Sequence, residues 1–166
     1  MIRQFLYRGL KTWVGIFFNL LNFLLAGNLP PFGCVNIVVE EQGRYLVIQR
    51  PEGHFVFPGG FMRWRERPED TGVRECKEET GLQVKITNLI GCSSTASNDI
   101  TKMSTLSVIY RAEVAGGTLL SSIEGKPMWM DEAELHVKLF KQQTGILEHY
   151  LARRDQGRAD TAQPSL

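Results

Sequence analysis

Polar positions along the first thirty residues follow a different rhythm from those in the rest of the chain. Gln4, Arg8, Lys11, Gly15, Asn19 and Asn22 recur three or four residues apart, so on a helix they form one narrow stripe beside a wide apolar surface. This spacing predicts a helix over residues 3–27. Pro30 and Pro31 end it, since neither can donate a backbone hydrogen bond and each pushes the preceding residue toward extended geometry. From Cys34 the pattern shortens to strands. Residues 34–40 and 45–50 are rich in β-branched and apolar side chains, with Gly43 in the turn between them, and read as a hairpin. Further strand signals cover residues 54–61, broken by Pro58, Gly59 and Gly60, then 83–92, 106–114 and 126–130. Two helices fit between and after them. One runs from Pro68 to Thr80 with Gly81 as a left-handed cap, and the other covers residues 136–153. Residues 155–166 have little to bury and are expected to be disordered. Strands surrounding helices in this order predict an α/β fold, a mixed β-sheet with helices on its faces.

Length and charge narrow the picture further. A chain of 166 residues, 43% hydrophobic, supports one domain with a real core, here residues 34–154, and is too short for two. Its net charge of +1 lacks the basic excess that argues for nucleic-acid binding, so no specific nucleic acid is expected. Cys34, Cys76 and Cys92 form no CxxC pair and no Cys/His cluster, which disfavours a zinc site or a disulfide framework. His54, His136 and His149 stand in no motif and are expected to face solvent.

Charge is unevenly placed, however. Residues 1–33, the helix and its Pro-Pro linker, carry Arg3, Arg8 and Lys11 and no acid. From Thr12 to Leu29 run 18 uncharged residues, about 27 Å of helix against a bilayer core of about 30 Å. Three placements stay open for this helix: packed on its own domain or on a second subunit, lying in a membrane interface, or spanning. The segment LLAGNL offers no A-x-A cleavage site, which argues against a secretory signal. A spanning helix with its basic end inside would export the domain, so a cytoplasmic face is preferred for nucleotide chemistry.

The chemistry is concentrated in RECKEETG, residues 74–81. On a helix Glu75, Glu78 and Glu79 are neighbours at i, i+3 and i+4, and each like-charge pair costs roughly 0.2–0.5 kcal/mol. Arg74 offsets part of this repulsion and cannot neutralise three carboxylates. A hard divalent cation such as Mg²⁺ can, through oxygen ligands.

The surrounding spacing makes the signal specific. From Gly60 the chain reads GFMRWRERPEDTGVRECKEETGL, which resembles the Nudix box, G-x5-E-x7-R-E-U-x-E-E-x-G-U, with U a bulky aliphatic residue. Seven fixed positions match, a chance on the order of 10⁻⁸ per starting point at about 7% per residue type. The resemblance implies an α/β/α sandwich that hydrolyses a nucleoside diphosphate linked to another group, using Mg²⁺ or Mn²⁺. By position it implies Glu75, Glu78 and Glu79 as metal-facing carboxylates, Gly60 bringing its carbonyl near the metal, and Glu66 orienting the loop or joining the metal shell. Arg74 would hold the cluster in place. Glu124 is a candidate general base outside the motif, and Arg50, Arg63 and Trp64 are candidate substrate contacts. A Nudix-fold binding or regulatory module without turnover, membrane-associated or not, is the alternative.

Three departures stand out. Cys76 occupies an aliphatic position, Gly72 lies inside the helix at a cost of about 1 kcal/mol relative to Ala, and Arg65 stands where many members have Gly. A Pro or Tyr some 15 to 18 residues after the Gly matching Gly81 marks certain substrate subgroups; residues 96–99 read ASND and carry neither.

Overall fold

In the computed structural model, residues 2–97 and 99–162 are described, and of these the side chains of 9, 10, 12–97 and 99–155. The chain begins with helix α1 (Ile2–Leu24), and strand β1 (Phe32–Glu41) follows the two prolines. Gln42 and Gly43, at φ of 52° and 76°, form the two-residue turn that feeds β2 (Arg44–Gln49). Successive positive φ values match the twist of the flanking strands, so the register Glu40–Tyr45 and Glu41–Arg44 follows from the turn.

The signal over residues 54–61 splits in two, β3 (Phe55–Val56) and β4 (Gly59–Phe61), because Pro58 cannot donate to a ladder. Helix α2 (Pro68–Thr80) has the predicted bounds, and Gly81 closes it at φ 79° with its N–H on the Lys77 carbonyl. Strands β5 (Leu82–Thr95), β6 (Thr105–Gly117) and β7 (Lys126–Asp131) complete seven strands among the described residues. The sheet is mixed: β1 runs parallel to β6 and antiparallel to β4, while β2 pairs antiparallel with β3 and β7.

Alternation along β1 divides the core. Val35, Ile37 and Val39 point toward α2 and pack with Leu46, Cys76 and Tyr110, whereas Val38 faces a second cluster with Phe57, Ile109, Leu147 and Tyr150. Cys76 is fully buried beside Thr80, and burial raises its thiol to about 11, so it serves as the small hydrophobe its position requires. Gly72 faces the same layer. A Cβ there would stand 2.5 Å from Ile37 Cδ1, so its absence lets α2 lie close on β1.

Two expectations about helices need correction. The helix expected over residues 136–153 is α3 (Glu132–Lys138), a 3-10 turn (Lys141–Gln143) and α4 (Thr144–Ala162). Leu139 is extended, at φ −61° and ψ 138°, and the Phe140 N–H donates to the Phe55 carbonyl, so a pairing with β3 interrupts the helical run. Residues 155–162 continue α4 where disorder was expected, and 163–166 lie outside the described residues.

α1 packs on its own domain through Gly15 and Asn19 of its polar stripe. Asn19 Nδ2 donates to the carbonyls of Ile100 and Lys102, both at 2.7 Å, and Gly15 is buried against the Thr101 backbone. Among the described residues, no helix is long and apolar enough to cross a membrane.

Candidate functional site

The acidic face of α2 lies beside the β4 strand, and glycines make that approach close. A Cβ on Gly60 would fall 2.6 Å from the Glu75 carboxylate carbon, and one on Gly59, at φ 153°, would strike the Val35 carbonyl. Only glycine lets the backbone run between β1 and these glutamates.

Glu79 is the deepest of the carboxylates, its side chain 3% exposed. Its Oε2 accepts the Gly59 N–H at 2.9 Å and its Oε1 accepts Arg50 Nη2 at 2.8 Å. Burial pushes its pKa up to about 7, against the opposing pull of the Arg50 charge and the Gly59 N–H. Arg50 also donates to Glu124 Oε2 at 2.6 Å, which brings that loop glutamate to the same site. Of the weaker candidates, Arg50 and Glu124 therefore join the cluster from residues far apart in sequence.

Arg74 organises the other side. Its Nε and Nη2 grip Glu66 in a two-pronged contact at 2.6 and 2.8 Å, and its Nη1 reaches Glu75 at 2.6 Å and Glu78 at 3.3 Å. Glu66 also accepts the Arg63 N–H and the Thr71 hydroxyl, and the hydrogen bonds from Arg74 hold its pKa down to about 2. The loop between β4 and α2 is thus tied to the helix through one carboxylate. Arg63 pairs with Glu78 at 3.1 Å, while Trp64 projects into solvent, 88% exposed. Arg65 adopts φ 63°, so the turn that glycine usually makes is kept by an arginine in the left-handed region.

The donor set consists of carboxylate and backbone oxygens on a glycine-cradled face, which suits a hard divalent cation rather than a soft one. Each glutamate is paired with an arginine, and no three His, Cys, Asp or Glu side chains among the described residues converge as a ready ligand set. The fit therefore rests on the chemistry of the donors and on the Gly60–Glu75 approach.

Across β1 from this cluster lies a cleft of about 240 Å³ lined by Asn36, His54, Ser107, Phe140 and Gln143. His54 stacks on Phe140 with ring centroids 4.4 Å apart, contrary to the expectation of a solvent-facing histidine. Gln143 donates to Asn36 Oδ1 at 3.3 Å, and its own Oε1 accepts the Phe57 N–H. None of these residues carried a motif; the one available signal was Asn36, a lone polar residue inside the apolar run of β1.

A mixed sheet between helices, with a glutamate-bearing helix seated on a Gly-Gly strand, presents oxygen donors of the kind that hold a hard divalent cation. Comparison with known proteins gives the family. The NUDIX domain family model matches residues 29–151, and the chain belongs to that family. An ADP-ribose pyrophosphatase of Methanocaldococcus jannaschii is 31% identical over 127 residues, which cover 74% of this chain and 75% of the relative. A MutT-like protein of Streptomyces ambofaciens is 30% identical over 115 residues, 66% of this chain and 71% of that one. Among solved structures, a NUDIX hydrolase from Nitrosomonas europaea superposes with a TM-score of 0.67 at 20% identity, covering 74% of this chain and 90% of its own. The MutT protein of Methanosarcina mazei gives 0.66 at 19%, covering 76% and 97%. The chain is a Nudix-type pyrophosphohydrolase.

Proposed function

We propose that this chain cleaves the pyrophosphate bond of a nucleoside diphosphate joined to a second group, with Mg²⁺ or Mn²⁺ held by Glu75, Glu78, Glu79 and the Gly60 carbonyl. The observation that carries this is Glu79, a carboxylate buried to 3% exposure beside the Gly59 N–H, on the helix face that also presents Glu75 and Glu78. Burying a charge is costly unless it is paired or coordinates a cation, and a site that holds one is kept for chemistry.

A divalent ion in that place supplies charge stabilisation at the phosphate oxygens and an acidified water. The protein's own groups do the rest. Arg74 fixes the carboxylates of Glu66, Glu75 and Glu78 relative to one another. Glu66 anchors the loop, the first of the two roles open to it. Arg50 joins Glu79 to Glu124. With Glu79 near neutrality in pKa, either it or Glu124 accepts the proton from attacking water, the arginine keeping the two within one network. Arg63 and Trp64 lie on the loop beside Glu78, where they meet the phosphates or the leaving group.

For the substrate, ADP-ribose comes first, because the Methanocaldococcus relative is named for it. The cleft beside Asn36, His54 and Phe140 offers an aromatic stack and amide groups for a base or ribose. The reaction belongs in the cytosol, where such substrates are made. The test is a panel of nucleoside diphosphate derivatives, ADP-ribose included, with Mg²⁺ or Mn²⁺ and product identification. Turnover abolished by chelation and lowered at least ~100-fold in Glu79→Gln is expected. No turnover of any member of the panel, or a Glu79→Gln variant of full activity, overturns the proposal.

A further inference from the structure

α1 is attached to the domain by the wrong face for an ordinary amphipathic helix. Gly15 and Asn19 turn inward. Asn19 is bonded to two carbonyls of the 100–102 turn, Gly15 lies against Thr101, and Asn22 Oδ1 accepts the Leu29 N–H at 3.1 Å. These contacts fix the rotation of the helix about its axis.

The opposite face is therefore held outward. Leu10, Trp13, Phe17, Leu20 and Leu24 recur at three and four residue steps and are all more than half exposed, and Phe23 beside them is 82% exposed. Phe17 also starts an aromatic row. It meets Phe18 edge-on at 5.5 Å, Phe18 meets Phe32 at 4.7 Å, and Phe32 meets the half-exposed Phe61 at 6.0 Å. A contiguous apolar surface of this kind marks an interaction site.

We propose that this face seats the protein on an anionic lipid surface, with α1 lying in the headgroup plane and the hydrolase domain resting above it. Charge supports lipid as the occupant. Residues 1–33 carry Arg3, Arg8 and Lys11 and no acidic residue, which complements anionic headgroups and would repel a second copy laid alongside in parallel. Area argues the same way. A helix of 23 residues is about 35 Å long and roughly 10 Å across, so pairing with its twin covers on the order of 350 Å² per partner, well short of the ~800 Å² of a stable interface. A bilayer surface has no such minimum. Since no described helix can cross a membrane, the attachment is to one face of it. The segment lies outside the region matched by the family model, so the inference is independent of the catalytic proposal.

The test is flotation of the full chain with phosphatidylcholine vesicles containing about one-third phosphatidylglycerol, against phosphatidylcholine alone. The chain should float with the anionic vesicles and be released as salt is raised. Trp13→Ser/Phe17→Ser/Phe23→Ser alters only exposed side chains, so its melting transition should match wild type while vesicle binding falls roughly tenfold or more. Light scattering of both proteins without lipid reads the competing occupant. Absence of flotation, equal flotation with neutral vesicles, full binding by the triple variant, or a lipid-free dimer that the variant abolishes would each overturn the proposal. Turnover of soluble substrate by the same preparations reports on the hydrolase separately.

Discussion

Arg50 meets Glu79 at 2.8 Å beneath the β4 strand and holds Glu124 at 2.6 Å with its other amino group. One guanidinium is thus the shared counter-charge of a buried carboxylate and a half-exposed one. Removing it leaves Glu79 ionised in a dry site, a situation that costs about 3–5 kcal/mol where both partners are fully enclosed. Arg50 is 19% exposed, so Arg50→Ala should destabilise by roughly 2–4 kcal/mol at pH 8. The cost should shrink as pH falls, because protonation of Glu79 removes the unpaired charge, and without the Arg50 charge to hold its pKa down that protonation begins at higher pH than in the wild type. Urea unfolding at pH 5 and pH 8 measures both values. Addition of Glu79→Gln should restore most of the stability at pH 8.

Glu66 titrates in the opposite sense. Its folded pKa, about 2, lies below the ordinary 4.5, so the folded state binds the proton less readily than the unfolded chain. The stability it contributes is present above pH 4.5 and is lost as pH falls from there toward 2. Glu66→Gln should be less stable than wild type at pH 7 by roughly 1.5–3 kcal/mol, the range for hydrogen bonds to charged groups. The difference should close through the acid limb. Parallel denaturation curves at pH 3 and pH 7 would contradict this.

How much of this was legible beforehand depended on the distance over which each feature is determined. Helix α2 could be read because Pro68 and Gly81 punctuate it locally, and its carboxylates because their spacing is fixed by the helix itself. The orientation of α1 could not, since the carbonyls that capture Asn19 belong to residues more than eighty positions away. Similarly, the Asn36–Gln143 contact joins the first strand to the 3-10 turn ahead of the last helix, and Phe140 leaves the helical pattern only because β3 accepts its N–H. Arg50 and Glu124 were visible as charges; their convergence on Glu79 came from the sheet.

Arg65 provides a test of local strain. An L-residue in the left-handed region costs roughly 1–2 kcal/mol, and Arg65 occupies it at φ 63°. Arg65→Gly relieves this at the expense of a more flexible unfolded chain, worth about 0.4–1 kcal/mol. The net expectation is a gain of a few tenths to about 1 kcal/mol, read as a raised urea midpoint with an unchanged slope. A loss of stability would show that the Arg65 guanidinium, 5.9 Å from the Trp64 ring, outweighs the backbone.

Gly72 sets helix propensity against packing. In isolation Gly72→Ala should stabilise α2 by about 1 kcal/mol. In this fold the added methyl would lie 2.5 Å from Ile37 Cδ1 and 3.2 Å from both Ile37 Cγ1 and Val35 Cγ1, all in a layer with no exposed surface. Overpacking of that kind typically costs about 1–3 kcal/mol, and the helix can relieve it only by rising off β1. Packing should win, leaving Gly72→Ala destabilised overall. Ile37→Val removes the offending Cδ1 and by itself should cost about 0.5–1.5 kcal/mol. Combined with Gly72→Ala it should cost less than the sum of the two, and a double-mutant cycle by urea unfolding measures that coupling. Because Glu75, Glu78 and Glu79 ride on the same helix, a lifted α2 should also weaken turnover in the single Gly72→Ala variant and recover it in the double. Additive stabilities with unchanged turnover would mean that α2 does not depend on this contact for its seat.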